Sequence, residues 1–386
     1  MNILNLGDLT PERFLAEYWQ KKPLLIRQAF PDLEPVIEAD DLAGLACEED
    51  VEARIVLQDP ASDHWELQQG PFEEEHFGQL PPSHWTLLVQ AVDHWVPEAA
   101  ELMAQFDFIP RWRLDDLMVS YAVDGGGVGP HYDNYDVFLI QAAGQRRWEV
   151  GGEFNSDSPR RSDAPVMILP EWDAEQSWVL EPGDMLYVPP RLGHSGIAVG
   201  DGCMTYSVGF RAPSHGEIMR NFTDFVGERL SNELRYSDPD LKPQANGAQI
   251  GDDAIARVRG ILSQYMNDDA LLGEWFGRCM TEPKYPDLDQ QPEEPVSCEN
   301  LRTYLESGGT LSRTEGARLA WRRSSNGCEL FADGIRYTGT EAQESLFSGI
   351  CNSGGLDLGD DTDLEQALEL LTKLINQGIF YADDQD

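Results

Sequence analysis

The spacing of apolar positions changes twice along this chain, and the changes split it into three stretches. Near the amino end, Phe14, Leu15, Tyr18 and Trp19 recur at helical spacing behind Thr10 and Pro11, a cap and first-turn pair that marks a helix start. Leu24, Leu25 and Ile26 read as a strand entering a core, and segments 53–58 and 64–69 as two more. Over 85–106, Leu87, Leu88, Ala91, Trp95 and Leu102 fall on one side of a helix, so a long helix is expected there.

From residue 111 the period becomes two. Segments 117–123, 131–142, 146–150, 178–180, 185–188 and 203–211 are strand-like and are separated by Gly and Pro turns. Many short strands punctuated this way predict a sandwich or barrel. Helical spacing returns after Pro213, where Ile218, Met219, Phe222, Phe225, Val226, Leu230 and Leu234 form one stripe, with further helices expected at 252–265 and 269–279. This region is small for the apolar surface it offers, and pairing with a second copy would cover the stripe. Four prolines in 281–295 mark a linker. Beyond it come a helix over 299–306, a hairpin turn at Asn326-Gly327, and a last helix opened by Thr362 with Glu365 as its capping-box partner. Helices around a small hairpin suggest a winged-helix-like module. The expected organisation is a catalytic domain over 1–212, a helical dimerisation region over 213–280, a linker over 281–296 and the winged-helix-like domain over 297–386.

Charge narrows the choice of partners. The chain has 28 basic against 69 acidic residues, a net charge of −41. Such a surface repels nucleic-acid phosphate and anionic membranes and favours a basic partner, so DNA binding by the tail is disfavoured. The six cysteines, at 47, 203, 279, 298, 328 and 351, form no C-x-x-C pair, which leaves zinc ribbons unsupported and suggests reduced thiols in a cytoplasm. No basic patch followed by an apolar run opens the chain, so no signal peptide is expected, and no run reaches the ~18 apolar residues of a membrane span.

The chemistry concentrates at two turns. His131-Tyr132-Asp133 follows the run Gly125-Gly126-Gly127-Val128-Gly129-Pro130, and His194 follows Pro189-Pro190-Arg191-Leu192-Gly193. Residues two apart on a strand point the same way, so His131 and Asp133 can aim an imidazole and a carboxylate at one point. His194, from a distant strand, would complete a two-histidine, one-carboxylate face. That is the ligand set of non-haem Fe(II) oxygenases. A double-stranded β-helix would bring the three to one mouth. Asp136 could compete as the carboxylate ligand, but three residues past Asp133 it lies on the opposite face of a regular strand.

The strings DDLMVSYAVDGGGVGPHYDNYDVFLIQ, LEPGDMLYVPPRLGH and YSVGFRAP closely resemble the bacterial JmjC-type ribosomal oxygenases. The resemblance spans essentially the whole chain and is most specific over 115–213. It implies a JmjC (cupin) barrel, a dimerising helical region and a winged-helix tail. It also implies Fe(II), 2-oxoglutarate and dioxygen as cofactor and co-substrates, and hydroxylation of an arginine on a basic large-subunit ribosomal protein. It assigns iron to His131, Asp133 and His194, and the distal carboxylate of 2-oxoglutarate to Arg146, whose neighbour Arg147 points to the other face of the strand. Thr205 matches a position near the co-substrate where a relative has Asn, and Ala122 one where that relative has Ser. Asp116, Met118, Tyr135 and Ser207 match the pocket for the target arginine. Side-chain alternation gives an independent check: Asp116, Met118, Ser120 and Ala122 share a face, as do His131, Asp133 and Tyr135, and Cys203, Thr205 and Ser207. The competing readings are a JmjC-type demethylase of methylated lysine and a metal-binding cupin that is not an oxygenase.

Overall fold

The computed structural model describes residues 3–288, 290–352, 356 and 364–383. The chain divides into two compact units, Met1–Ala212 with Thr314–Gly316, and Pro213–Arg313 with Ala317–Asp386. No helix among the described residues is long and apolar enough to cross a membrane.

The first unit is built on a sheet of nine strands: β1 (Leu24–Ile26), β2 (Ala53–Asp59), β3 (His64–Gln69), β4 (Trp85–Val89), β5 (Leu114–Ala122), β6 (Val137–Glu153), β7 (Gln176–Leu180), β8 (Met185–Val188) and β9 (Leu192–Phe210). Their order is β1-β8-β6-β9-β5-β4-β2-β3, with β7 also on β6. The 17-residue β6 and 19-residue β9 set the shape, pairing from Val137↔Gly209 to Glu153↔Leu192. Their register shifts between Gln141 and Ala143 and again between Ala143 and Gln145, beside Gly144 at φ +60°. Such bulges bend and twist a ladder, and the sheet curls as the expected double-stranded β-helix requires.

The barrel's outer side carries an aromatic layer. Phe14 of helix α1 (Pro11–Glu17) meets Tyr187 and Phe138 at centroid distances of 5.0 and 5.5 Å, and Phe106 meets Phe138 at 4.8 Å. Full burial of one such ring contributes roughly 1.5–3 kcal/mol. Thr10 caps α1 by accepting from the Arg13 amide at 3.3 Å, with Pro11 in the first turn. Three further short helices belong to this unit: α2 (Ala39–Leu45), α3 (Glu74–Phe77) and α4 (Pro97–Ala104).

Two expectations fail here for identifiable reasons. Residues 85–106 are not one helix. They form β4, a 3-10 turn over Val92–His94 and then α4. All five β4 residues are buried, because Trp85, Leu87 and Val89 pack into the main core and Leu88 packs with Val56, Trp65 and Ile168, and a run buried on both faces has no period to read. Nor do residues 131–136 lie on a strand. The β6 ladder begins at Val137, and His131 makes only an isolated bridge to His194. The segments expected at 131–142 and 146–150 thus become one strand that starts later and runs further.

The second unit contains α5 (His215–Gly227), α6 (Asp252–Met266), α7 (Asp269–Met280), α8 (Cys298–Glu306), α9 (Glu344–Ile350) and α10 (Leu364–Ile375). Ser214 and Glu217 close a capping box that starts α5. Phe222 and Val226 of α5 pack against Trp275 of α7. The helix stops at Gly227, so Leu230 and Leu234 lie beyond it rather than on its stripe, and both are exposed. Strands β10 (Leu311–Arg313), β11 (Leu319–Ser324), β12 (Gly327–Ala332), β13 (Ile335–Gly339) and β14 (Phe380–Ala382) form a β11-β12-β13 meander and a β10-β14 pair. The expected hairpin at Asn326-Gly327 is present, and a second turn at Asp333-Gly334 has both residues at positive φ. Thr362 lies outside the described residues.

Candidate metal and co-substrate site

The glycine run creates the entry to the site by letting backbones approach. A Cβ on Gly126 would lie 2.2 Å from the Trp85 carbonyl oxygen, and one on Gly127 2.6 Å from that of Gly196. Gly125 and Gly126 instead exchange hydrogen bonds with Ala198 of β9. Pro130 then turns the chain into the His131–His194 bridge, whose two backbone hydrogen bonds are 3.0 and 2.8 Å. The imidazoles sit 4.3 Å apart, centroid to centroid.

The Asp133 carboxylate closes the cluster. Its Oδ2 is 3.5 Å from His194 Nε2 and 4.0 Å from His131 Nε2. One ligand atom from each of the three residues lies within 4.8 Å of the other two. Each imidazole meets a carbonyl through its other nitrogen: His131 Nδ1 lies 2.9 Å from Gly129 O, and His194 Nδ1 3.0 Å from Leu192 O. A carbonyl only accepts, so each Nδ1 carries the proton and each Nε2 presents its lone pair to the centre. Burial, and then the neighbouring His131, hold the His194 pKa down to about 4, which keeps that ring neutral and able to ligate. Two imidazole nitrogens and a carboxylate, with no thiolate, fit Fe(II). The side chains converge although the segment is irregular: a backbone bridge and a bend, rather than strand alternation, bring them together.

Beside this cluster the interior wall is polar. Arg146 is 3% exposed; its Nε donates to Cys203 Sγ at 3.4 Å, and its Nη2 is buried with no hydrogen-bond partner among the described residues. A buried, incompletely paired guanidinium is costly in isolation and suits a carboxylate ligand such as the distal end of 2-oxoglutarate. Arg147 points outward, 3.8 Å from Glu149. Thr205 Oγ1 donates to Gln141 Oε1 at 3.1 Å, and Gln141 Nε2 donates to Ala143 O at 2.8 Å. Ala122 packs with Ala198 and Cys203.

The residues expected to hold the target arginine sit around the same interior. Register places Ser207 between Met118 of β5 and Leu139 of β6. Asp116 is 3% exposed, and its Oδ2 accepts from Gln90 Nε2 at 2.6 Å and from the Ala91 amide at 3.1 Å. Tyr135 is partly exposed. Burial around its hydroxyl, then the charges of Asp133 and Asp116, push the phenol well above its usual range, so it stays protonated.

Several residues here escaped the sequence reading. Gln141 orients Thr205, and its signal was a lone amide inside the apolar run Val137-Phe138-Leu139-Ile140-Gln141-Ala142. Gln90 and the left-handed Ala91 (φ 51°) orient Asp116, and no sequence pattern marks them. Arg54 reaches Met118 Sδ at 3.9 Å and adds a cation to an otherwise acidic group. Asp136 is fully buried and makes no part of the cluster.

Residues 101–218 match the JmjC domain family model, and residues 264–381 match the ROXA-like winged helix. The chain is 36% identical to the ribosomal protein uL16 3-hydroxylase of Escherichia coli (strain K12), over 95% of this chain and 96% of that one. It is 33% identical to a probable ribosomal oxygenase of Haemophilus influenzae, over 84% and 81% of the two chains. Its fold matches that of the ribosomal oxygenase YcfD from Escherichia coli in complex with cobalt and 2-oxoglutarate, with a TM-score of 0.88, 34% identity and full coverage of both chains.

Proposed function

The chain belongs to the JmjC-domain ribosomal oxygenases, and from that premise we propose that it is an Fe(II)- and 2-oxoglutarate-dependent hydroxylase of an arginine side chain on the large-subunit ribosomal protein uL16. The observation that carries the reading is the pairing of a three-ligand cluster within 4.8 Å with a buried arginine whose Nη2 has no hydrogen-bond partner among the described residues. Fe(II), 2-oxoglutarate and dioxygen together supply the oxidation of an unactivated C–H bond, with succinate and carbon dioxide as co-products.

The chain's own residues bind, orient and exclude. His131 and His194 would hold the metal through Nε2, and Asp133 through its carboxylate. Arg146 takes the distal carboxylate of 2-oxoglutarate, and Thr205, steadied by Gln141, lines the same wall. Asp116 receives the target guanidinium, while Met118, Tyr135 and Ser207 bound its aliphatic stem. With its phenol protonated, Tyr135 adds no negative charge beside Asp133 and can donate a hydrogen bond. The net charge of −41 draws a basic protein segment toward the chain, an attraction that weakens as the Debye length falls from ~10 Å at 0.1 M to ~3 Å at 1 M salt.

Two further parts of the reading concern assembly and place. The 213–280 helices pair two copies into a homodimer, and the 297–386 module adopts a winged-helix role other than DNA binding, in the cytoplasm where ribosomes are built. Support for the dimer comes from α6, which buries none of its own residues within the described chain.

The test is to incubate the purified protein with Fe(II), 2-oxoglutarate and uL16 in air. uL16 should gain the mass of one oxygen on an arginine, in proportion to succinate formed, and the gain should slow with salt. Oxygen on another residue type, or loss of a methyl group from a methylated lysine peptide instead, would overturn the arginine assignment.

A further inference from the structure

Between the bridge at His131 and the start of β6, the chain bends outward through Asn134 and Tyr135 and returns to the core at Asp136. The segment carries two of the three metal ligands of the proposed function, yet no ladder fixes it. Its amino end is held by the His131–His194 bridge, and Asp133 O accepts from the Arg191 amide at 2.6 Å. Its carboxyl end is held by Asp136 through four contacts. The side chain is fully buried. Oδ1 accepts from Tyr187 Oη at 2.6 Å, and Oδ2 from Gln20 Nε2 at 2.9 Å and Arg113 Nη2 at 3.2 Å. The Asp136 carbonyl accepts from the Phe210 amide at 3.1 Å.

We propose that Asp136 is a positioning residue for the metal site, its buried carboxylate clamping the ligand-bearing bend to the outer aromatic layer so that Asp133 stays aimed at His131 and His194. The clamp joins three separate parts of the first unit. Gln20 follows α1, Tyr187 lies on β8, and Arg113 precedes β5 and also donates to Arg211 O at 2.8 Å. Tyr187 is itself fixed, since its hydroxyl accepts from the Gln20 amide at 2.7 Å. An ionised group in this place is a costly plug: burial pushes its carboxyl above the usual range in spite of its donors. An apolar residue would fill the volume at lower desolvation cost, but it could not accept three directed hydrogen bonds or set the bend's register.

The test is Co(II) binding by the full-length protein, read from the visible absorption of the bound ion, alongside thermal melting and steady-state kinetics. Asp136→Asn should weaken Co(II) roughly tenfold, the lower end of what supporting residues around metal ligands show. It should also shift the absorption bands and lower kcat while leaving the KM for 2-oxoglutarate unchanged, because Arg146 lies on a different segment. Tyr187→Phe keeps the ring and removes one donor; it should shift affinity and spectrum the same way by less, and it decides the matter if Asp136→Asn does not fold. If the variants melt at lower temperature but bind Co(II) with wild-type affinity and spectrum, Asp136 is structural only. The inference rests on the proposed triad, so Asp133→Ala is run in parallel. Wild-type Co(II) binding in Asp133→Ala would overturn the triad itself, whereas its loss there with normal binding in Asp136→Asn would overturn only the clamp.

Discussion

Two regions of this molecule break the ordinary rule of burial in opposite directions. In the barrel of the first unit, polar groups are inside: Arg146, Gln141, Thr205, Asp116 and His194 are all buried. On α6 of the second unit, apolar groups are outside: Ile255 is 48% exposed, Val258 44%, Ile261 43% and Leu262 48%. Each inversion costs stability in an isolated chain, the first through lost hydration and the second through uncovered apolar surface. The barrel's polar interior is geometrically specific, with hydrogen bonds orienting nearly every group. The helix face is only a surface of one kind. The first therefore suits a small ligand of defined shape and the second a large partner, which the proposed function takes to be a second copy of the chain.

The comparison breaks most sharply at the metal ligands. His131→Ala or Asp133→Ala should take hydroxylation and succinate formation below detection by mass spectrometry while the thermal transition survives. Full activity in either variant would mean that the polar interior has another purpose. Next, Arg146→Ala should raise the KM for 2-oxoglutarate, since truncating one partner of a buried charge pair costs ~2–5 kcal/mol, about 30-fold or more. Arg147→Ala, which removes only a surface pair, should change it by about twofold at most. Equal effects would remove the distinction between the two faces of β6. On the exposed side, Ile261→Glu should convert a dimer to a monomer in light scattering at matched concentration with little change in turnover per chain; a wild-type protein that is already monomeric would end the dimer reading.

The smallest effect concerns protons and has opposite signs in the two units. The folded pKa of His194 is lowered to about 4, so the folded barrel binds fewer protons than the unfolded chain between there and about 6.5, and metal-free barrel stability falls as pH drops through that window. Burial raises Asp333 to about 6, so the folded second unit binds more protons and gains stability as pH falls from about 6 toward the unfolded value. Asp333→Asn keeps a residue tolerant of the turn's positive φ and an acceptor for the Arg318 amide. Its melting temperature should exceed that of the wild type at pH 7.5, by a margin that shrinks steadily as pH falls toward 4. A constant difference across that range would remove ionisation as the cause.

The sequence made the site more legible than the elements that carry it. His131, Asp133 and His194 stand out because their chemistry is rare and turn residues frame them. The strand boundaries around them do not, because a backbone bridge and a bend have no apolar period. Arg146 shows the limit most clearly. Gln141 and Arg146 both reach Cys203 and so share the interior. Strict alternation from Gln141 would place Arg147 inside instead. The register shifts around Ala143 and Gly144 invert the count, and only the family resemblance selected the arginine that is buried. The long helix expected over 85–106 failed for the opposite reason: β4 is so thoroughly buried that its pattern carries no orientation. In the second unit, the hairpin turn was readable at Asn326 and Gly327, whereas Leu230 and Leu234 looked helical only until Gly227 ended α5.

The bridge between His131 and His194 closes a loop of roughly sixty residues with backbone hydrogen bonds alone. The cost of that closure is shared with the β6–β9 ladder, whose pairs run up to the same two segments. A metal joining these two rings therefore does not bring distant chain segments together; it enters a gap whose walls are already neighbours. Loading and loss of the ion are then expected to be local exchange events on a folded chain rather than events coupled to unfolding. A chain emptied by a chelator should recover its occupancy as fast as the ion can diffuse in, without retracing its folding.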